Sequence, residues 1–251
     1  MKQWGWKSVA VVLAVIGWGG APASAHMRDY LVNQDYYTAK RGEFEVELYN
    51  DYHMPNSSED GTWNSNHEIE LEYGILDHLQ LSYYEVYTWD RERNWERNAF
   101  KIESKLRFAE AGQWPVDVAI YGEYKNPNGS RDAHSDELEG KLILHKDLGQ
   151  RWGLVANLVA ERQINAHEEW QMEYTAGVSY AVAPTTRLAL EFQQSLGDIE
   201  NIDISKDREL YVMPTVAVSI TPNVRVLAGP MFGLTRVSED LQFRSIVEVE
   251  F

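Results

Sequence analysis

From Glu43 to the last residue the chain alternates apolar and polar side chains in runs of about ten residues. In residues 173–182, EYTAGVSYAV, one face is aromatic and aliphatic while the other is small or polar. A period of two is a β-strand with two unlike faces, and the helical period is absent throughout. Runs of this kind are predicted at about 43–53, 65–75, 78–88, 98–108, 115–125, 136–146, 151–162, 169–182, 185–196, 208–220, 223–235 and 242–251. The fold class is therefore all-β with about twelve antiparallel strands, ten or fourteen being the alternatives.

The charged face decides what kind of sheet this is. It carries Glu45, Glu47, Glu68, Glu70, Glu72, Lys101, Glu103, Lys105, Arg107, Asp117, Glu139, Lys141, Glu173, Arg187, Glu191, Arg225, Arg244 and Glu248. Unpaired charges in the dry core of a sandwich would cost several kcal/mol each, about what no small domain can absorb repeatedly. A wet or ion-paired lumen tolerates them, so the charged face is read as the inside and the apolar face as lipid-facing. Strand length agrees, because a tilted strand needs about 9–11 residues to cross a bilayer.

The links between runs alternate in length, as they do in an up-and-down transmembrane barrel. Short ones fall at Leu76-Asp77, residues 110–114, residues 147–150, Ala183-Pro184 and Thr221-Pro222. Longer, largely polar ones fall between them: residues 54–64, 89–97, 126–135 and 197–207. An even strand count returns both ends of the barrel to the short-turn rim, which is periplasmic in such proteins. Tyr52, Tyr73, Tyr83, Tyr87, Trp89, Trp152, Trp170, Tyr174 and Tyr180 suit interfacial aromatic girdles.

Two positions break the phase. Glu85 and, more mildly, Asn50 count onto the lipid-facing side, and a bulge near Tyr83-Tyr84 would return Glu85 to the interior. Gly177, Gly229 and Gly233 are read as relieving curvature or making room for a neighbouring ring, and Pro214 and Pro230 as marking bulges.

Ahead of the barrel, residues 1–25 hold Lys2 and Lys7, an apolar stretch and the small residues APASA, the pattern of a cleavable secretory signal peptide. Residues 26–42 are then a periplasmic N-terminal segment and residues 43–251 the barrel. The net charge of −16 excludes a nucleic-acid partner, which would require clustered Lys and Arg. Absence of cysteine removes thiolate chemistry, disulfides and Cys-ligated metals.

The chain ends IVEVEF, with Val247, Val249 and Phe251 at alternate positions. Here it resembles bacterial outer-membrane β-barrels, whose last strand typically ends in an aromatic residue read by the barrel assembly machinery. RGEFEVELYNDY from Arg41 and HEIELEYGILDHLQLSYYEVY from His67 look like the opening strands of small, poorly characterised Gram-negative barrels, transporter-like or of the phenol-degradation type. The resemblance implies the cell outer membrane, with its lipids, lipopolysaccharide and the assembly machinery at Phe251 as partners. It transfers no catalytic residue.

With Asp51, Glu123, Glu161 and Glu250 added to the inner face, fifteen acids stand against seven bases, so the expected function is a narrow channel preferring small polar or cationic solutes. The alternatives are a non-conducting structural or surface-interaction barrel and an outer-membrane lipid hydrolase. The last would need a nucleophile and a base. Residues 64–66, NSN, stand just before His67, but the H-x-S-N-G order of the outer-membrane phospholipase is missing, and no catalytic motif is found. His53, His67, His134 and His167 lie on or beside the long loops without metal-ligand spacing. No cofactor or metal is expected.

Overall fold

The computed structural model describes residues 27–54, 64–89, 95–127, 136–164, 169–204 and 208–251. The leader, His26, His134, His167 and much of the long polar loops lie outside the described residues.

The strands are β1 (Phe44–Met54), β2 (Asn64–Leu76), β3 (Leu79–Trp89), β4 (Trp95–Arg107), β5 (Asp117–Asn126), β6 (Glu137–Leu148), β7 (Trp152–Gln163), β8 (Gln171–Ala183), β9 (Thr186–Asp198), β10 (Leu210–Thr221), β11 (Val224–Gly233) and β12 (Leu241–Glu250). Each pairs antiparallel with its chain neighbours, and β1 closes on β12, giving a twelve-stranded barrel. Closure runs from Glu45 opposite Glu250 to Met54 opposite Leu241. Beyond it the Phe251 N–H donates to the Phe44 carbonyl at 2.8 Å, and the two rings lie 5.9 Å apart. Closing the sheet pairs every edge, which is what a strand needs in a solvent that cannot hydrogen-bond.

The alternation read from the sequence is the alternation of the wall. Glu45, Glu47, Tyr49 and Asp51 of β1 are buried inward, while Phe44, at 37% exposure, begins the outward set continued by Val46 and Leu48. Around the circumference Ile69, Leu81, Ile102, Ile120, Leu142, Leu158, Leu188 and Val216 are exposed on the outer wall. A belt of aliphatic side chains this continuous would drive aggregation in water, and acyl chains are its natural solvent.

At Glu85 the expectation fails. The β3–β4 register shifts between Val86 and Tyr87, not near Tyr83-Tyr84, and Glu85 stays on the outside. There the Arg97 guanidinium grips it from β4, with Nη2 2.9 Å from Oε1, and the Tyr83 hydroxyl adds a further bond. An ion pair, rather than a bulge, makes the carboxylate tolerable on that face. The same shift lets β4 begin at Trp95, inside a stretch read as loop. Asn50 also faces out, opposite His67.

The larger correction concerns residues 27–42. Set apart in the sequence reading as a periplasmic segment outside the barrel, they lie inside it. Tyr30, Leu31 and Tyr36 are fully buried, each packed against inward side chains of the wall. Eight strands enclose an interior that side chains fill, and twelve enclose more. The extra space here is taken by the chain's own N-terminal segment.

Candidate functional site: a lumen and its internal strap

An irregular segment can be buried only if its backbone polar groups find partners. Glu191, on β9, supplies them. Its carboxylate accepts from the backbone N–H groups of Leu31 (2.7 Å), Val32 (3.0 Å) and Asn33 (3.0 Å), and from Asn33 Nδ2 (2.9 Å) and Thr215 Oγ1 (2.7 Å). It is 0% exposed. This one carboxylate takes five bonds, four of them from the strap.

Further holds flank it. The Asp29 carboxylate sits between Arg225 Nη2 at 2.5 Å and Arg187 Nη1 at 3.0 Å. Arg28 donates to Glu47 Oε2 at 2.8 Å. Asn157 accepts from the Gln34 N–H at 2.8 Å and returns a bond to the Gln34 carbonyl at 2.9 Å, while Thr175 bonds Asn33 Oδ1 at 2.7 Å. Burial, then the bond to Asp147 at 2.5 Å, push the Tyr37 phenol well up from its usual range, so it stays a donor. At the short-turn rim the Gly42 N–H reaches the Gly74 carbonyl at 2.8 Å.

The wall is shaped to receive these residues. A Cβ on Gly177 would lie 3.0 Å from the Tyr30 ring, and one on Gly153 would lie 3.1 Å from its hydroxyl, which itself bonds Ser179. The ring for which the sequence reserved space at Gly177 is therefore the strap's own. Leu31 completes a cluster with Tyr49, Tyr84, Ala217, Leu227 and Ile246, and Tyr36 packs on Ala119, Tyr121 and Ile143.

All the charged residues assigned to the inner face lie there, but in two settings. Toward the short-turn rim and mid-height, Glu45, Glu47, Glu70, Glu72, Glu103, Lys105, Asp117, Glu191, Arg225 and Glu248 are buried. Arg107 and Arg187 touch the strap, Arg107 through Thr38 and Arg187 through Asp29. Beside Glu70 and Lys105 lies a cavity of about 30 Å³, lined also by Arg28, Gln34 and Asp35. That is room for a water or two and no hydrated solute.

Toward the long-loop rim the lining is partly exposed and paired within the wall. Lys101 meets Glu68 at 2.9 Å and Glu123 at 4.0 Å, Lys141 meets Glu139 at 2.9 Å, and Arg244 forks onto Asp51 at 2.6 and 2.8 Å. Glu173 accepts from Gln193 at 2.8 Å. Among the described residues, the oxygens of Glu45, Glu47 and Glu248, all within 4.8 Å of one another, are the carboxylate group with the geometry to hold a cation, beside the Arg28 guanidinium.

A closed barrel with an apolar belt and a charged, partly filled lumen is the architecture of outer-membrane channels. Comparison with solved structures agrees at the level of fold. The outer-membrane channel COG4313 from Pseudomonas putida F1 superposes with a TM-score of 0.63 at 13% identity, over 86% of this chain and 98% of that one. The KdgM porin gives 0.59 at 7% identity over 82% and 99%, and the NanC porin 0.55 at 10% over 82% and 98%. No protein-family model matches the chain, and no curated protein matches it. At such identities the likeness is one of fold, and it agrees with the resemblance carried by the opening and closing strands.

Proposed function

We propose that this protein is a gated outer-membrane channel for small polar or cationic solutes, with residues 27–42 as its internal gate. The carrying observation is the Glu191 cradle, which holds three consecutive backbone N–H groups of a buried, irregular segment inside a lumen rich in charge. Solvated solutes need a path wider than the present cavity, and withdrawal of the strap would supply it. Export by the N-terminal leader in a Gram-negative envelope, insertion through the barrel assembly machinery at Phe251, and contact with lipopolysaccharide belong to this reading. The porin and channel neighbours support it, and it assigns the lumen no catalysis and no cofactor.

Excess carboxylate on the exposed part of the lining favours cations, because low-dielectric walls focus their field. The test is single-channel recording in planar bilayers, comparing the wild type with Glu191→Ala. Substitution leaves the three N–H groups without partners, at about 1–3 kcal/mol each, so the docked strap loses several kcal/mol. The wild type is expected to be mostly closed and the variant to conduct with a cation-selective reversal potential. A non-conducting structural or surface-interaction barrel, favoured by the closed lumen alone, predicts no conductance from either protein, and anion selectivity would overturn the solute assignment.

A further inference from the structure

Outside the lumen, the outer wall carries a polar group that a lipid-facing surface does not need. Ser65 and His67, two apart on β2, point outward beside Asn50 of β1, which lies directly opposite His67 in the register. Ser65 Oγ is 2.9 Å from His67 Nε2, and His67 Nδ1 is 2.9 Å from Asn50 Oδ1. An amide oxygen can only accept, so in this arrangement Nδ1 carries the ring hydrogen and Nε2 is the bare nitrogen that accepts the Ser65 O–H. Nucleophile, base and orienting group are thereby joined in sequence, with the imidazole in the tautomer that can take a proton from the serine.

Height on the barrel suggests the substrate. One outward step toward the short-turn rim lie Leu48 and Ile69, the edge of the apolar belt, while Tyr52, Tyr87, Trp89 and Trp95 surround the group on the other sides. The His67 ring packs on Trp95 at 5.0 Å and Tyr52 at 6.0 Å. An aromatic girdle marks the boundary of hydrocarbon and headgroups, the depth at which the ester carbonyls of membrane lipids lie.

We propose that Ser65, His67 and Asn50 form a hydrolytic site for carboxylic esters of membrane lipids, an activity separate from passage through the lumen. Ser65 Oγ attacks the ester carbonyl carbon as its proton passes to His67 Nε2. The tetrahedral adduct collapses, breaking the bond to the alcohol oxygen, which leaves with the proton from Nε2. Water, deprotonated by the same nitrogen, then attacks the acyl-serine, releasing a fatty acid and restoring Ser65. Asn50 is a positioning residue that fixes the tautomer. Ser65 is only 2% exposed, so entry requires neighbouring rings to part, and Trp95, at 62% exposure, is the one with room to swing.

The experiment uses the whole protein refolded in detergent micelles, with heat-modifiable migration as the check of fold. A fluorophosphonate probe should label the wild type at Ser65, and Ser65→Ala and His67→Ala should abolish labelling. Hydrolysis of p-nitrophenyl butyrate should fall on the order of 100-fold in either variant. Asn50→Ala should lose most of the rate. Asn50→Asp should recover it with the acid limb of the pH–rate profile moved upward, because a carboxylate beside Nδ1 favours the charged ring. Fatty acid released from phosphatidylethanolamine or from lipid A dispersions identifies the source of the ester, and release from neither overturns the lipid assignment. A wild type labelled no more than Ser65→Ala, or hydrolysis surviving both substitutions, overturns the site itself. Conductance is measured separately, so failure here leaves the gate untouched and the converse holds.

Discussion

The two halves of the lumen are lined by the same kinds of side chain and stabilise them in opposite ways. In the half toward the short-turn rim, wall charges are dry and find many of their partners on the strap: Glu191 on Leu31 to Asn33, Arg187 and Arg225 on Asp29, Glu47 on Arg28. In the half toward the long loops they are wetter and pair within the wall, as Lys101 does with Glu68 two strands away and Lys141 with Glu139 on its own strand. A charge paired within the wall keeps its partner whatever the strap does. A charge paired with the strap loses it on opening, so the first half governs the gate and the second half governs what passes.

Asp29→Ala should show the larger effect. It strands two arginines whose side chains are mostly covered, and breaking a buried pair costs about 3–5 kcal/mol, less here because Arg187 retains some solvent. Open probability should rise at least tenfold in bilayer recordings, with selectivity unchanged. If it does not rise, the strap is held elsewhere than at its charged contacts. Glu173→Gln, in the wetter half, should do the reverse. Its hydrogen bond to Gln193 can persist, so gating stays as in the wild type while cation preference falls modestly in a salt gradient. A change in open probability instead would mean that the two halves are coupled.

The wall was legible in the sequence because its chemistry is periodic. Alternation in β1 and over residues 137–145 of β6 places each charge inward without any knowledge of pairing, and the turn residues separate the two rims. The strap has no period to read. Tyr30, Leu31 and Tyr36 look like scattered apolar residues, and their destination shows only in the vacancies opposite them, of which Gly177 was the visible sign. Glu85 and Asn50 appeared as phase errors for a different reason. Whether an outward polar side chain is tolerable depends on its cross-strand neighbour, Arg97 in one case and His67 in the other, and register is set by pairings that one strand's sequence does not contain. The same gap hid Ser65, His67 and Asn50, which no linear motif connects.

The native chain has no cysteine, so the gate can be pinned cleanly. Asn33 and Thr175 touch across the strap–wall contact at 2.7 Å, and the double substitution Asn33→Cys with Thr175→Cys, introduced into Glu191→Ala, puts a disulfide where the strap docks. Recordings under oxidising conditions should show that barrel closed, and addition of a thiol reductant to the chamber should open it to the conductance of Glu191→Ala. Equal conductance before and after reduction, in protein shown to carry the disulfide, would contradict a gate made of residues 27–42.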